Sequence, residues 1–140
     1  IDGYQSRNER LADLMRRFGI CEEKSSGIDR VIESAELMQL PAPEFLTGHK
    51  RTTVVIYGPR AFREMNGSDR VRACYQHCVL QYVLRKQMTN QSLRERFGLS
   101  EGSSNTVSQI ITATMEQRLV KNDPNAPDSR RYARYIPIWA

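Results

Sequence analysis

The sequence predicts an α+β fold, a truncated helix–turn–helix–strand segment over residues 1–65 followed by three helices and a β-hairpin over residues 66–140. Three observations predict it. Apolar residues recur at helical spacing in four stretches. β-Branched and aromatic residues cluster at Thr52–Tyr57 and again near the C-terminus. Gly-Pro and Asn-Gly punctuate Gly58–Ser68, which divides the chain into its two parts.

In the first part, Arg7–Phe18 sets Leu11, Leu14, Met15 and Phe18 at helical spacing, with Gly19 as a natural stop. Ser25–Ser26–Gly27 is a small-residue turn into a second helix, Ile28–Met38, whose stripe is Ile28, Val31, Ile32, Ala35 and Met38. Pro41 and Pro43 force an extended path towards the strand Thr52–Tyr57. So short a segment holds little core, and it is expected to be the end of a larger α/β domain. Ile1 is not a start methionine, which fits a piece of something longer.

In the second part, Asp69–Lys86 is a long helix with Val71, Cys74, Tyr75, Cys78, Val79, Tyr82 and Val83 inward. Thr89 caps a short helix, Asn90–Phe97, closed by Gly98. Leu99–Ser103 is a turn, and a third helix, Ser104–Arg118, buries Val107, Ile110, Ile111 and Met115. Leu119–Asn122 and Arg130–Trp139 are the hairpin strands around a polar loop, Asp123–Ser129. Tyr132 and Arg134 share one face of the last strand and Tyr135 the other, and the aromatics there, Trp139 included, are expected to pack on the long helix.

Composition narrows the class. Hydrophobic residues are 39% and charged residues 26%, which excludes a disordered chain. No apolar run approaches the roughly 18–20 residues of a membrane helix. Cys21, Cys74 and Cys78 are too few and odd in number for a disulfide framework, and free thiols suit the cytoplasm. Cys74 and Cys78 share a helix face while the adjacent His77 points off it. Without a second ligand pair they read as small apolar core residues rather than zinc ligands.

The net charge of +5 is unevenly placed. Residues 1–65 hold 10 basic and 10 acidic side chains, whereas residues 66–140 hold 11 and 6. A basic half beside a neutral one is the footprint of a polyanionic partner. The third helix sharpens this. Its outer face is Asn105, Thr106, Ser108, Gln109 and Thr112, without a carboxylate. Asn and Gln can pair with adenine edges, and Ser and Thr with bases or phosphates. Ser103 and Ser104 stand at its N-terminus, where free N–H groups can hold a phosphate. The hairpin carries Lys121, Arg130, Arg131 and Arg134. Three helices and a basic hairpin in this order predict a winged helix-turn-helix that grips double-stranded DNA. A homodimer is expected, because one small reading head binds weakly. The alternative is a winged helix that serves protein interaction or dimerisation.

The first part carries a resemblance. Arg7–Asn8 opening a helix, Leu11–Ala12, Gly19–Ile20 with Glu22–Glu23, Ser26–Gly27–Ile28 with Arg30, and Leu40-Pro-Ala-Pro-Glu-Phe45 follow a recurring order. Over about residues 6–57 the chain resembles the putative ATP-dependent DNA helicase RecG-like C-terminal family, a divergent ATPase-like module of the histidine-kinase/Hsp90 type. Ser-Ser-Gly replaces the family's Gly-Ser-Gly, and Glu9 stands where the pattern has Pro. Such modules usually follow an AlbA-type (Schlafen-like) domain and precede a winged helix, in bacterial and archaeal transcriptional regulators. The resemblance implies that Ser26, Gly27 and Ile28 form the phosphate turn of the parent domain. The rest of that pocket would lie upstream of Ile1, so no cofactor is expected in this chain, and ATP belongs only to a longer parent. No Walker A sequence occurs, and His49 and His77 have no nucleophile at a recognisable offset. Glu22–Glu23 and Asp29 read as solvated charges, so catalysis by this chain is not expected.

Overall fold

The computed structural model describes residues 6, 8–21, 27–49, 51–127, 129 and 132–140. It is α+β, with helices α1 (Glu9–Arg17), α2 (Gly27–Leu37), α3 (Gly67–Val83), α4 (Asn90–Arg96) and α5 (Ser104–Glu116). Two small antiparallel sheets accompany them: β1 (Glu44–Thr47) with β2 (Thr52–Val55), and β3 (Val120–Asn122) with β4 (Tyr135–Pro137). Backbone contacts divide the chain into Ile1–Arg30 and Val31–Ala140, whereas the sequence punctuation stands at Gly58–Ser68.

In the first unit, Asn8 caps α1 by accepting from the Leu11 N–H at 3.1 Å. The expected apolar face is present but uncovered: no α1 residue is buried, and Phe18 is 70% exposed. Amphipathic spacing makes a helix but cannot supply the layer that covers it.

The second unit holds the core. Along α2 only Ala35 is buried, and the helix stops before Met38 because Gln39 turns to φ +53°. The extended path after it is a packed strap. Pro41, Ala42 and Pro43 are buried, and side chains from α3 and α4 bind their backbone. Arg96 donates to the Leu40 carbonyl at 2.6 Å, Arg72 to that of Ala42 at 3.1 Å, and Gln76 to that of Pro43 at 2.7 Å. These bonds satisfy carbonyls that a buried loop would otherwise leave orphaned.

The strand β1 corrects the sequence reading, which placed one strand in the first part. Glu44–Thr47 pairs residue for residue with Thr52–Val55, Glu44 opposite Val55 and Thr47 opposite Thr52. A four-residue strand next to two prolines shows too little alternation to announce itself.

The remaining helices form as their sequences dictate. Asn66 caps α3, accepting from the Asp69 N–H at 2.8 Å, so the helix starts two residues earlier than the apolar pattern suggests. Thr89 caps α4 through a reciprocal box with Ser92. Gly98 ends it at φ +62°, a left-handed turn that glycine adopts without the strain a side chain would bring. Val107, Ile110 and Ile111 of α5 are buried with Cys74, Cys78, Met88, Leu93 and Val120, and Met115 packs partly buried against them. The inward set of α3 is only partly as expected: Val71, Cys74 and Cys78 are buried, but Tyr82 and Val83 are exposed. The hairpin is shorter than its two apolar flanks, since pairing runs only from Val120–Pro137 to Asn122–Tyr135. A further rung joins Tyr135 to Met88, in the link between α3 and α4.

Both helix thiols are core residues. Burial pushes Cys74 up to about 11 and Cys78 up to about 12 from an ordinary 9.0, and Cys78 donates to the Tyr135 carbonyl. Above pH 9.0 the unfolded chain releases these protons while the folded chain keeps them. Their contribution to stability is therefore complete below about 9 and drains as pH rises through 11 to 12. Native protein treated with iodoacetamide at neutral pH should be modified at the half-exposed Cys21 alone, and at all three cysteines once denatured. Rapid native modification of Cys74 or Cys78, read by mass spectrometry, would contradict their burial.

Candidate nucleic-acid interface

The outer face of α5 emerges as the sequence suggests. Val107, Ile110, Ile111 and Thr114 are buried beneath it, and Ser104, Asn105, Ser108, Gln109 and Thr112 are exposed above, with Thr106 half-buried at the edge. Ser103 is half-buried and its side chain makes no capping bond, so the first-turn N–H groups receive nothing from it. Thr112 donates its hydroxyl to the Ser108 carbonyl at 3.0 Å, which leaves its oxygen as an acceptor.

Beside this face lies a polar cleft of about 650 Å³. Its walls come from α4, the first turns of α5 and the stretch leading into β4. Arg94 and Arg134 supply its positive charge, and no carboxylate lines it among the described residues. The Nε of Arg94 is buried without an acceptor, an uncommon state for a guanidinium donor.

Asn90, Gln91 and Arg94 escaped the sequence reading. Their signal was present: Asn90 and Arg94 stand four apart on a short helix whose Leu93 is buried, so they share an outward face. Asn90 also bridges to α5. Its Nδ2 donates to the Ser104 carbonyl at 2.9 Å and to Ser108 Oγ at 2.9 Å, and Ser104 Oγ donates to its Oδ1 at 3.2 Å.

The hairpin residues separate. Arg134 enters the cleft, together with the 58%-exposed Tyr132 and with Tyr135. Tyr132 and Tyr135 therefore do not take opposite faces of one strand, because β4 begins only at Tyr135. Lys121 is not brought to the α5 face; its ammonium donates to the Ala140 carbonyl at 2.6 Å. Trp139 packs on α3 as expected, edge-on to Tyr82 and donating to the Tyr75 hydroxyl at 3.3 Å. Arg130 and Arg131 lie outside the described residues.

On the opposite side of α4, Glu36 meets a buried His77. Nδ1 of His77 lies 2.8 Å from Glu36 Oε2 and Nε2 lies 3.1 Å from Ser92 Oγ. The order serine, histidine, carboxylate is that of an activated nucleophile, yet Ser92 is already committed. Its oxygen accepts from the Thr89 N–H at 3.0 Å, and it donates to the Thr89 carbonyl at 3.1 Å. The array closes a helix cap. Glu36 also lies 3.3 Å from the Nε of Arg96, whose guanidinium burial pulls down from its ordinary value while Glu36 pushes it back.

Of the implied phosphate turn, Ser26 lies outside the described residues, Gly27 is the first residue of α2, and Ile28 is 58% exposed. A Cβ on Gly27 would meet nothing within 4 Å, so packing in the chain does not demand glycine there. No described helix is long and apolar enough to cross a membrane. No curated protein and no solved structure matches the chain. Residues 2–56 match the model of a family described as "Putative ATP-dependent DNA helicase recG C-terminal".

Proposed function

We propose that residues 66–140 are a winged helix-turn-helix that binds double-stranded DNA, forming the DNA-gripping end of a transcriptional regulator. The observation that carries this is the exposed, carboxylate-free face of α5 lying beside a cleft lined by Arg94 and Arg134. The helix would enter the major groove while the arginines hold the flanking phosphates. Asn105, Thr106, Gln109 and Thr112 are the candidate base-facing residues, and Ser108 stands on the same outer face of α5. Ser103 and Ser104 would meet the backbone at the helix start. Arg130 and Arg131, which stand between the two strands in the sequence, are further candidate phosphate contacts, and Lys121 adds positive charge on β3. The Met88–Tyr135 rung supports the reading, since it ties the hairpin back to the link before α4.

Fluorescence anisotropy with a duplex of arbitrary sequence tests this directly. If the four arginines each neutralise one phosphate, affinity should fall roughly 100-fold between about 50 and about 200 mM salt. Binding that ignores salt, or no binding at the lower concentration, would remove the DNA reading and leave the hairpin and α5 as a protein-interaction surface.

A further inference from the structure

The α5 outer face is two ridges, not one. Ser104 and Ser108 stand one turn apart on the first. Asn105, Gln109 and Thr112 form the second, rotated about 100° around the axis. Among the described residues, hydrogen bonds from another element reach the first ridge and not the second.

That engagement is saturated at Asn90. Both protons of its amide nitrogen are used, one on the Ser104 carbonyl and one on Ser108 Oγ, and its oxygen accepts from the Ser104 hydroxyl. The opposite orientation of the amide would set two acceptors, Asn90 Oδ1 and the Ser104 carbonyl, against each other, so the assignment is self-consistent. Asn90 itself is held at the first position of α4, directly after Thr89 and its reciprocal bond with Ser92.

We propose that Asn90 is the positioning residue of α5, and that its clamp keeps Ser104 and Ser108 out of base reading, leaving Asn105 and Gln109 to discriminate sequence. This rests on the DNA-binding reading above. The hydroxyl proton of Ser104 and an acceptor lone pair of Ser108 are used within the protein, whereas Asn105 and Gln109 keep both amide donors and an acceptor for a bidentate contact. On the outer face of α5, Ser104 and Ser108 thus orient the helix while Asn105 and Gln109 face the groove.

Selection from a random-sequence duplex pool, using the whole chain, tests the division. Asn105→Ala and Gln109→Ala should each relax preference at one base position, by roughly 5- to 150-fold. Ser104→Ala and Ser108→Ala should select the same motif as the parent chain. Asn90→Ala should lower the ratio of affinities for selected over random duplex by about tenfold or more. Its binding to random duplex at low salt should stay within about twofold, with an unchanged salt slope, which also reports that it is folded. A shifted base preference in Ser104→Ala or Ser108→Ala, or an unchanged ratio in Asn90→Ala, would overturn the clamp. Failure of the parent chain to bind any duplex is a different result, and it overturns the DNA reading itself.

Discussion

Replacing Arg94 and Arg134 together by Ala should weaken duplex binding roughly 60-fold at about 0.1 M salt, and flatten the slope of log affinity against log salt by about 1.8. Both side chains line the same cleft. Neither forms an ion pair among the described residues, unlike Arg60 and Arg72, which are paired with Asp69 at 3.1 and 2.7 Å. With no ion pair among the described residues to break, the double substitution should cost little stability, so folding and binding effects separate. The loss should be uniform across sequences, because phosphate contacts position the protein without reading bases. If affinity fell while the salt slope stayed fixed, the two arginines would be acting through packing.

Glu36→Ala should destabilise the Val31–Ala140 unit by about 3–5 kcal/mol, the usual cost of stranding a buried charge. Arg96 is only 3% exposed at its side chain, and Glu36 is the carboxylate beside it. The same substitution removes the partner of His77 Nδ1. For a unit of this size the loss corresponds to a fall in melting temperature of about 15–30 °C. Glu36→Gln should cost less, because an amide oxygen can still accept from the imidazole. Denaturant titration measures both. A loss below about 1 kcal/mol for Glu36→Ala would mean that Arg96 reaches water without its partner.

Local physics made much of this legible in advance. The caps at Thr89 and Gly98, the buried stripe of α5 and its polar outer face all follow from residue type and spacing. What escaped depends on distant residues meeting. Glu36 and His77 are 41 positions apart, and no periodicity links them. Asn90 looked like the first residue of a short helix, since its bonds to Ser104 and Ser108 exist only once α4 and α5 cross. Lys121 was grouped with the arginines by charge alone, while the register of β3 turns it towards Ala140. The stripe of α1 showed the converse, a correct pattern whose covering layer no local rule can provide.

The strap at Leu40–Pro43 has a practical consequence for dissecting this chain. Punctuation invites a cut near Asn66, yet such a cut would discard the backbone carbonyls that Arg72, Gln76 and Arg96 bind. Three polar side chains would lose acceptors, and the core would lose the wall formed by Pro41, Ala42 and Pro43. The smallest autonomous piece therefore begins upstream of Glu36, inside the stretch that also matches the helicase-associated family. The helices and hairpin after Asn66 thus share masonry with what precedes them, so recombining them with a different N-terminal partner would require carrying a splint of the old neighbour along.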